Sequence, residues 1–273
     1  MDEYLKRIAE SLERAFPSDP DFHFFERASA FIWEPARNHF SQVSDISSVD
    51  ISLLKGMDEE IDKVSLNTKA FVEGSLANNV LVWGARGMGK STLIKSVIKA
   101  ASAQSELLKI IEVARDDIGQ VDKLLKLIKN INKKFIIFCD DISFDDNETS
   151  YKSLKSVLDG GLIGGMQNVL VYATSNRRHL LSRKTGNSED FIRWDEELDE
   201  RLSISDRFGI SIGFYECDQN LYLEIVRSYA KSFGVEISAK ELNKKAIEWQ
   251  VQRGSRSGRV AKQFIVSLLS QFK

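Results

Sequence analysis

The sequence predicts an α/β protein: a parallel sheet flanked by helices, with a helical unit at the C-terminal end and a helical extension at the N-terminal end. Three observations carry that prediction. The apolar run Val80-Leu81-Val82-Trp83 passes through a glycine-rich turn into an apolar-periodic stretch, a strand–turn–helix passage. Apolar runs of strand length alternate with amphipathic stretches of helix length, which implies right-handed crossovers between parallel strands. After Phe214 the strand signal stops and helical periodicity alone continues.

Taken in order, residues 1–16 place Leu5, Ile8, Leu12 and Ala15/Phe16 at helical spacing, and Pro17-Ser18-Asp19-Pro20 breaks the chain. Phe22, Phe24, Phe25, Phe31 and Trp33 follow within thirteen residues, 21–33. Aromatics carry the largest buried areas, so this piece is expected to pack, as part of the helical extension, onto the main domain. The Ser- and Asp-rich residues 41–50 read as a linker. Gly56 precedes a helix with Ile61, Val64, Thr68 and Phe71/Val72 on one face. Beyond the glycine-rich turn, Ile94, Val97, Ile98 and Ala101 mark the next helix, and residues 107–113 a second strand. Val121, Leu124, Leu125, Ile128 and Ile131 make another amphipathic helix. Phe135-Ile136-Ile137-Phe138-Cys139 is the continuous apolar run of a strand buried on both faces. A helix over 151–158 ends at Gly160-Gly161, and strands are predicted at 169–174 and 210–214. Asp218 then caps a helix running to Phe233. Ser238-x-x-Glu241 is a capping box ahead of Leu242, Ala246 and Trp249, and Ser257 opens a third helix with Val260, Phe264 and Leu268. The expected domains are 1–50, an N-terminal extension; 51–216, the α/β domain; and 217–273, a helical lid.

Composition narrows the function classes. With 273 residues and a net charge of −2, the chain has no general attraction for nucleic acid or an anionic membrane. Cys139 and Cys217 are the only cysteines, which argues against a disulfide framework or a Cys-based zinc site and fits a reducing compartment. His23, His39 and His179 lack metal-ligand spacing. The acidic start Met1-Asp2-Glu3-Tyr4 lacks a signal-peptide layout, and no apolar run approaches the ~18 residues of a membrane span. A cytoplasmic protein is expected, with Mg²⁺ as its one metal.

The chemistry sits at strand ends. Gly84-Ala85-Arg86-Gly87-Met88-Gly89-Lys90-Ser91-Thr92 contains G-x-x-x-x-G-K-[ST], the phosphate-binding P-loop. Its backbone N–H groups and the following helix N-terminus suit an anion, Lys90 reaches the β- and γ-phosphates of ATP, and the Ser91 hydroxyl holds Mg²⁺. Asp140-Asp141 closes the most apolar strand, where a carboxylate can hold the magnesium's water shell.

Here the chain resembles the AAA+ ATPases, whose Walker B pattern is an apolar run followed by Asp-Glu. The resemblance gives Asp140 the metal-side role and Asp141 the activation of the attacking water, although Asp141 is one methylene shorter than the usual Glu. Asn176, ending Thr174-Ser175-Asn176, matches the polar sensor 1 residue placed between the carboxylates and the γ-phosphate. Ser205-Asp206-Arg207-Phe208-Gly209 resembles the arginine-finger segment, closely that of the Holliday-junction branch-migration motor. Arg207 would then complete the site of a neighbouring subunit, which implies a homo-oligomer; the plainer alternative is a surface arginine paired with Asp206. Arg259 matches the sensor 2 arginine at the start of the third lid helix, with Arg256 as the rival assignment. Segments such as Phe138-Cys139-Asp140-Asp141 and Tyr172-Ala173-Thr174-Ser175-Asn176-Arg177-Arg178-His179-Leu180 look like a DUF815-like bacterial AAA+ family of unassigned function. The resemblance covers residues 51–273 and implies five strands in the order 5-1-4-3-2.

Residues 113–120 carry no aromatic, which disfavours a threading unfoldase with an aromatic pore loop, and 160–168 is too short for the β-hairpin of some DNA helicases. The basic run Arg177-Arg178-His179 with Arg183-Lys184 can meet DNA phosphates, or complement the acidic stretch at 195–200 of a neighbouring subunit. The leading expectation is an oligomeric ATPase that remodels a macromolecular partner. The alternatives are a low-turnover switch or scaffold, a DNA-associated ATPase, and, more distantly, a small-molecule kinase.

Overall fold

The computed structural model describes residues 2–15, 23–142, 153–155, 157–158, 167–176 and 205–270. The expected helix at 151–158 falls only partly within these, with Ser153 to Lys155, Val157 and Leu158 helical. Its ending at Gly160-Gly161, the run from Arg177 to Lys184 and the acidic stretch 195–200 lie outside the described residues.

Among the described residues, β1 (Ala30–Glu34), β2 (His39–Val43), β3 (Val80–Gly84), β4 (Leu108–Val113), β5 (Lys134–Cys139), β6 (Val169–Ser175) and β7 (Ile210–Phe214) form one sheet. Its order is β2-β1-β4-β5-β6-β3-β7. Counted from the P-loop strand β3, the run β7-β3-β6-β5-β4 is the expected 5-1-4-3-2, and every pairing within it is parallel.

The N-terminal region corrects one expectation. Asp2–Ala15 is a helix, α1, but residues 30–43 are a hairpin that extends the sheet from five strands to seven. β1 pairs antiparallel with β2 and parallel with β4. The reason is period: Phe31 and Trp33 are buried on either side of exposed Ile32, the alternation of a strand and not of a helix. Pro35 and left-handed Asn38 turn the chain, and Phe40 returns 5.0 Å from Trp33. Residues 41–43 of the expected linker therefore belong to β2. The packing role of the aromatics holds, since Phe25 meets Phe31 and Phe135 of β5 edge-on at 5.0 Å each.

Alternation along the strands sorts the core onto two faces. Phe135, Ile137 and Cys139 join Leu81 and Val171 on the face covered by the aromatic cluster and α4 (Val121–Ile128). Ile136 and Phe138 join Val80 and Val82 on the face covered by α2 (Asp58–Val72) and α3 (Lys90–Ser102). That second cluster continues into α5 (Gln219–Ser232), α6 (Ala239–Arg253) and α7 (Gly258–Leu269). Each of these three helices starts at the predicted cap. Asp218, Ser238 and Ser257 accept from the N–H of Leu221, Glu241 and Val260 at 2.8, 3.3 and 3.2 Å.

Between α2 and the sheet lies a small polar network that fixes where β3 begins. The buried Tyr172 hydroxyl donates to Thr68 Oγ1 (2.8 Å) and accepts from Asn67 Nδ2 (3.0 Å), while Thr68 donates to the Val64 carbonyl. Asn67 also brackets Asn78, donating to its carbonyl and accepting from its N–H. Removing the hydroxyl strands buried polar groups, so Tyr172→Phe is expected to lower unfolding free energy by about 1–3 kcal/mol in denaturant titration, at unchanged m-value. No helix among the described residues is long and apolar enough to cross a membrane.

Candidate functional site

The sheet order decides which strand ends meet. β6 lies between β3 and β5, all parallel, so their C-terminal ends share one edge. Trp83 is level with Ser175 and Cys139 with Ala173. The residues that follow, Gly84, Asn176 and Asp140-Asp141, therefore leave the sheet side by side.

Gly84 needs to be glycine: at φ +126° an added Cβ would lie 1.9 Å from the Phe214 carbonyl of β7, to which Ala85 N–H donates at 3.0 Å. Gly87, at φ +75°, is hemmed in from the other side, where a Cβ would come within 2.9 Å of Ser257 Oγ and 3.3 Å of Arg259 Cβ. The Arg259 N–H donates to the Gly87 carbonyl at 3.1 Å, so the start of α7 is bonded to the loop itself.

Around this loop lies a cleft of about 650 Å³. Its polar wall contains Arg86, Gly87, Met88, Gly89, Lys90, Ser91 and Thr92 with Asp140, Asp141, Thr174, Asn176 and Arg259. The Lys90 ammonium donates to the carbonyls of Gly84 (2.9 Å) and Ala85 (2.8 Å) and to Asn176 Oδ1 (2.9 Å). The Asn176 amide in turn donates to Asp141. Asp140 Oδ1 accepts from the hydroxyls of Ser91 and Thr174 at 2.5 Å each. Burial lowers the pKa of Lys90 below the usual lysine value, an effect opposed by Asp141 and Asp140 and reinforced by Arg259 and Arg86.

The rest of the lining is mainly apolar, with Lys55 and Lys262 among it. Val49, Leu53, Leu54 and Met57, from the stretch leading into α2, face Ile225 and Tyr229 of α5. An apolar slot beside a cationic loop fits a flat base attached to phosphates. Sequence reading left these residues out, because Leu53 ends a single 3₁₀ turn, Ile51–Leu53, and Leu54 is its C-cap, a stretch too short for any periodicity. The one local signal is Gly56, at φ +69°, where a Cβ would lie 2.6 Å from Leu221 of α5.

Of the two rival arginines, Arg259 lines this cleft. Arg256 lines a separate cavity of about 510 Å³ with Glu216, Cys217 and Gln250 on the far side of Arg86 and Met88. Neither cysteine is a poised nucleophile, since burial is the main cause pushing the Cys139 thiol up to about 12 and Cys217 up to about 11.

Arg207 does not line the cleft. β7 runs with Phe214 level with Gly84 and Ile210 level with Val80, four residues or roughly 13 Å back along the strand. Arg207 precedes Ile210 by three more, on the half-buried turn anchored by buried Phe208. It therefore sits at the opposite edge of the sheet from its own P-loop.

The cleft also meets the requirements of Mg²⁺, which takes one or two protein oxygens together with substrate phosphates and water. Ser91 Oγ and Asp140 Oδ1, both hard oxygens, already converge on one point beside Lys90.

The model of DUF815, described as a protein of unknown function, matches residues 26–272. No curated protein sequence matches the chain. Among solved structures, the chain is similar to the Thermotoga maritima RuvB Holliday junction branch migration motor, at 19% identity and a TM-score of 0.47, covering 77% of this chain and 69% of that one. It is also similar to AMPPCP-bound DnaA from Aquifex aeolicus, at 17% identity and a TM-score of 0.49, covering 76% and 60%.

Proposed function

We propose that this chain, which belongs to the DUF815 family, is an AAA+ ATPase that binds and hydrolyses Mg-ATP at the interface between its own copies. The observation that supports this most is the continuous set of contacts from Lys90 through Asn176 to Asp141, beside Ser91 and Asp140, in one cleft.

Each residue then has a task. Lys90 exchanges a carbonyl partner for oxygens of the β- and γ-phosphates, and backbone N–H groups of 85–91 surround the remainder. Ser91 and Asp140 hold Mg²⁺, which neutralises charge on the phosphates when bound. Asn176 orients a water against Asp141, whose carboxylate takes the water's proton as its oxygen bonds to the γ-phosphorus. The bond from that phosphorus to the β–γ bridging oxygen breaks, giving ADP and phosphate. Arg259 reaches the nucleotide from α7, and the base lies against Leu53, Leu54, Ile225 and Tyr229. Residues 217–273 act as a lid on the α/β domain 51–216, and the hairpin at 30–43, within the extension 1–50, lengthens that domain's sheet.

Arg207 supplies the trans element, stabilising charge that develops in the site of the adjacent copy. The energy released remodels a macromolecular partner in the cytoplasm. A second reading, a nucleotide-loaded switch with little turnover, draws on the short carboxylate of Asp141. The test is turnover per chain measured against protein concentration. A site completed in trans gives a rate that climbs with concentration and levels off where sizing shows the oligomer complete. A constant per-chain rate from a monomer would overturn the proposal, and tight ATP binding without turnover at any concentration would favour the switch.

A further inference from the structure

The end of β5 carries a feature that bears on the choice between those readings, and the inference from it rests on the ATPase assignment above. Asp141 has φ +52°, a left-handed backbone. Among the described residues, Asn38 is the only other non-glycine with positive φ, and it sits in the β1–β2 turn. Asp141 instead follows the end of β5, inside the cleft.

Thr174 of β6, 1% exposed, accounts for this conformation. Its hydroxyl donates to Asp140 Oδ1 (2.5 Å) and accepts from the Asp141 N–H (2.8 Å), and its carbonyl accepts from the Ile142 N–H (2.7 Å). Three successive residues are thus held by one residue of the neighbouring strand. The chain turns back toward β6 instead of running on past it, and the Asp141 side chain is left exposed to the cleft, where the Asn176 amide donates to it.

Left-handed backbone places Cβ against the carbonyl oxygen. Asp and Asn tolerate this better than other L-residues, because a short polar side chain can bond locally. Glu gains no such relief, and its extra methylene carries the carboxylate past the Asn176 amide.

We propose that Thr174 is a positioning residue that holds Asp141 in a left-handed conformation suited to Asp and not to Glu, so that the backbone turn, and not side-chain length, sets the position of the water-activating carboxylate. Asp141 is then the matched residue for this site and not a weakened substitute.

The experiment uses the full chain with Asp141→Glu, Asp141→Asn, Thr174→Val and Thr174→Ser. Three quantities are measured: Tm without nucleotide, affinity for a fluorescent ATP analogue, and turnover. Asp141→Glu is expected to lower the nucleotide-free Tm by roughly 2–4 °C and turnover by up to about a hundredfold. Asp141→Asn keeps the Tm while losing turnover. Thr174→Val lowers turnover at least about tenfold, by a larger factor than it lowers analogue affinity, and Thr174→Ser restores it.

A purely structural threonine makes a different prediction: the Tm loss from Thr174→Val is then the same in wild type and in an Asp141→Gly background, where the left-handed residue no longer needs holding. Equal losses overturn the proposal, as does an Asp141→Glu protein that matches wild type in both Tm and turnover. If the wild-type chain fails to bind ATP, the ATPase assignment falls, and the nucleotide-free Tm measurements still decide whether Thr174 sets the backbone at Asp141.

Discussion

Arg207→Ala is expected to reduce ATP turnover by about a thousandfold to a hundred-thousandfold, the range for removing an arginine that stabilises a transferring phosphoryl group. Nucleotide affinity should stay near wild type, because Arg207 lies at the far edge of the sheet from its own cleft, three residues before β7 begins. That combination of lost turnover and retained binding separates a trans arginine from a residue that merely supports the fold, which would reduce both. Mixing sharpens the test. An Arg207→Ala chain keeps an intact cleft, and a Lys90→Met chain keeps an intact arginine. Each is inactive alone, yet in an equimolar mixture about a quarter of head-to-tail interfaces pair the intact cleft of one with the intact arginine of the other. Recovery of activity on mixing is therefore the expected result. A mixture as inactive as its components would show that Arg207 acts within its own chain or not at all.

How much of this could be read from the sequence depends on whether the information is local. Gly84-x-x-x-x-Gly89-Lys90-Ser91 is a contiguous motif whose strand and helix neighbours are also visible, and Asp140 and Asn176 each terminate an apolar run. Parallel pairing of β3, β6 and β5 then brings these separate ends together without further information. The N-terminal hairpin was hidden because five-residue strands offer barely two repeats of alternation, and the aromatic residues that show it also suit a helix face. The apolar end of the cleft was hidden for a different reason. Leu53 and Leu54 become meaningful only when α5 brings Ile225 and Tyr229 across from them, some 170 residues later in the chain. The left-handed backbone at Asp141 has no sequence signature beyond Asp itself. What looks like a shortened catalytic carboxylate becomes intelligible only through the three bonds by which Thr174 holds Asp140, the Asp141 N–H and Ile142.

Lys90→Met should abolish tight nucleotide binding, not merely slow turnover. Lys90 is 7% exposed, and its ammonium makes three hydrogen bonds, two of them to the loop's own carbonyls. It thus holds the turn closed as well as supplying positive charge. Removing one partner of a buried, hydrogen-bonded charge pair costs about 2–5 kcal/mol, which corresponds to roughly a thirtyfold to several-thousandfold loss of ATP affinity. Loss of the Asn176 contact also frees the amide that donates to Asp141, so any residual bound nucleotide is hydrolysed slowly. Titration with a fluorescent ATP analogue separates the two effects. A second consequence follows from charge alone: Lys90 shares the cleft with Asp140 and Asp141, and methionine leaves those carboxylates facing the phosphates with Arg86, Arg259, Lys55 and Lys262 as the other cations lining the cleft. Affinity of the variant should therefore fall further as Mg²⁺ is withdrawn, and more steeply than in wild type, because the metal then carries a larger share of the charge neutralisation. An affinity for ATP equal to wild type in the Lys90→Met protein would mean that the loop does not bind phosphate, and that the nucleotide site lies elsewhere.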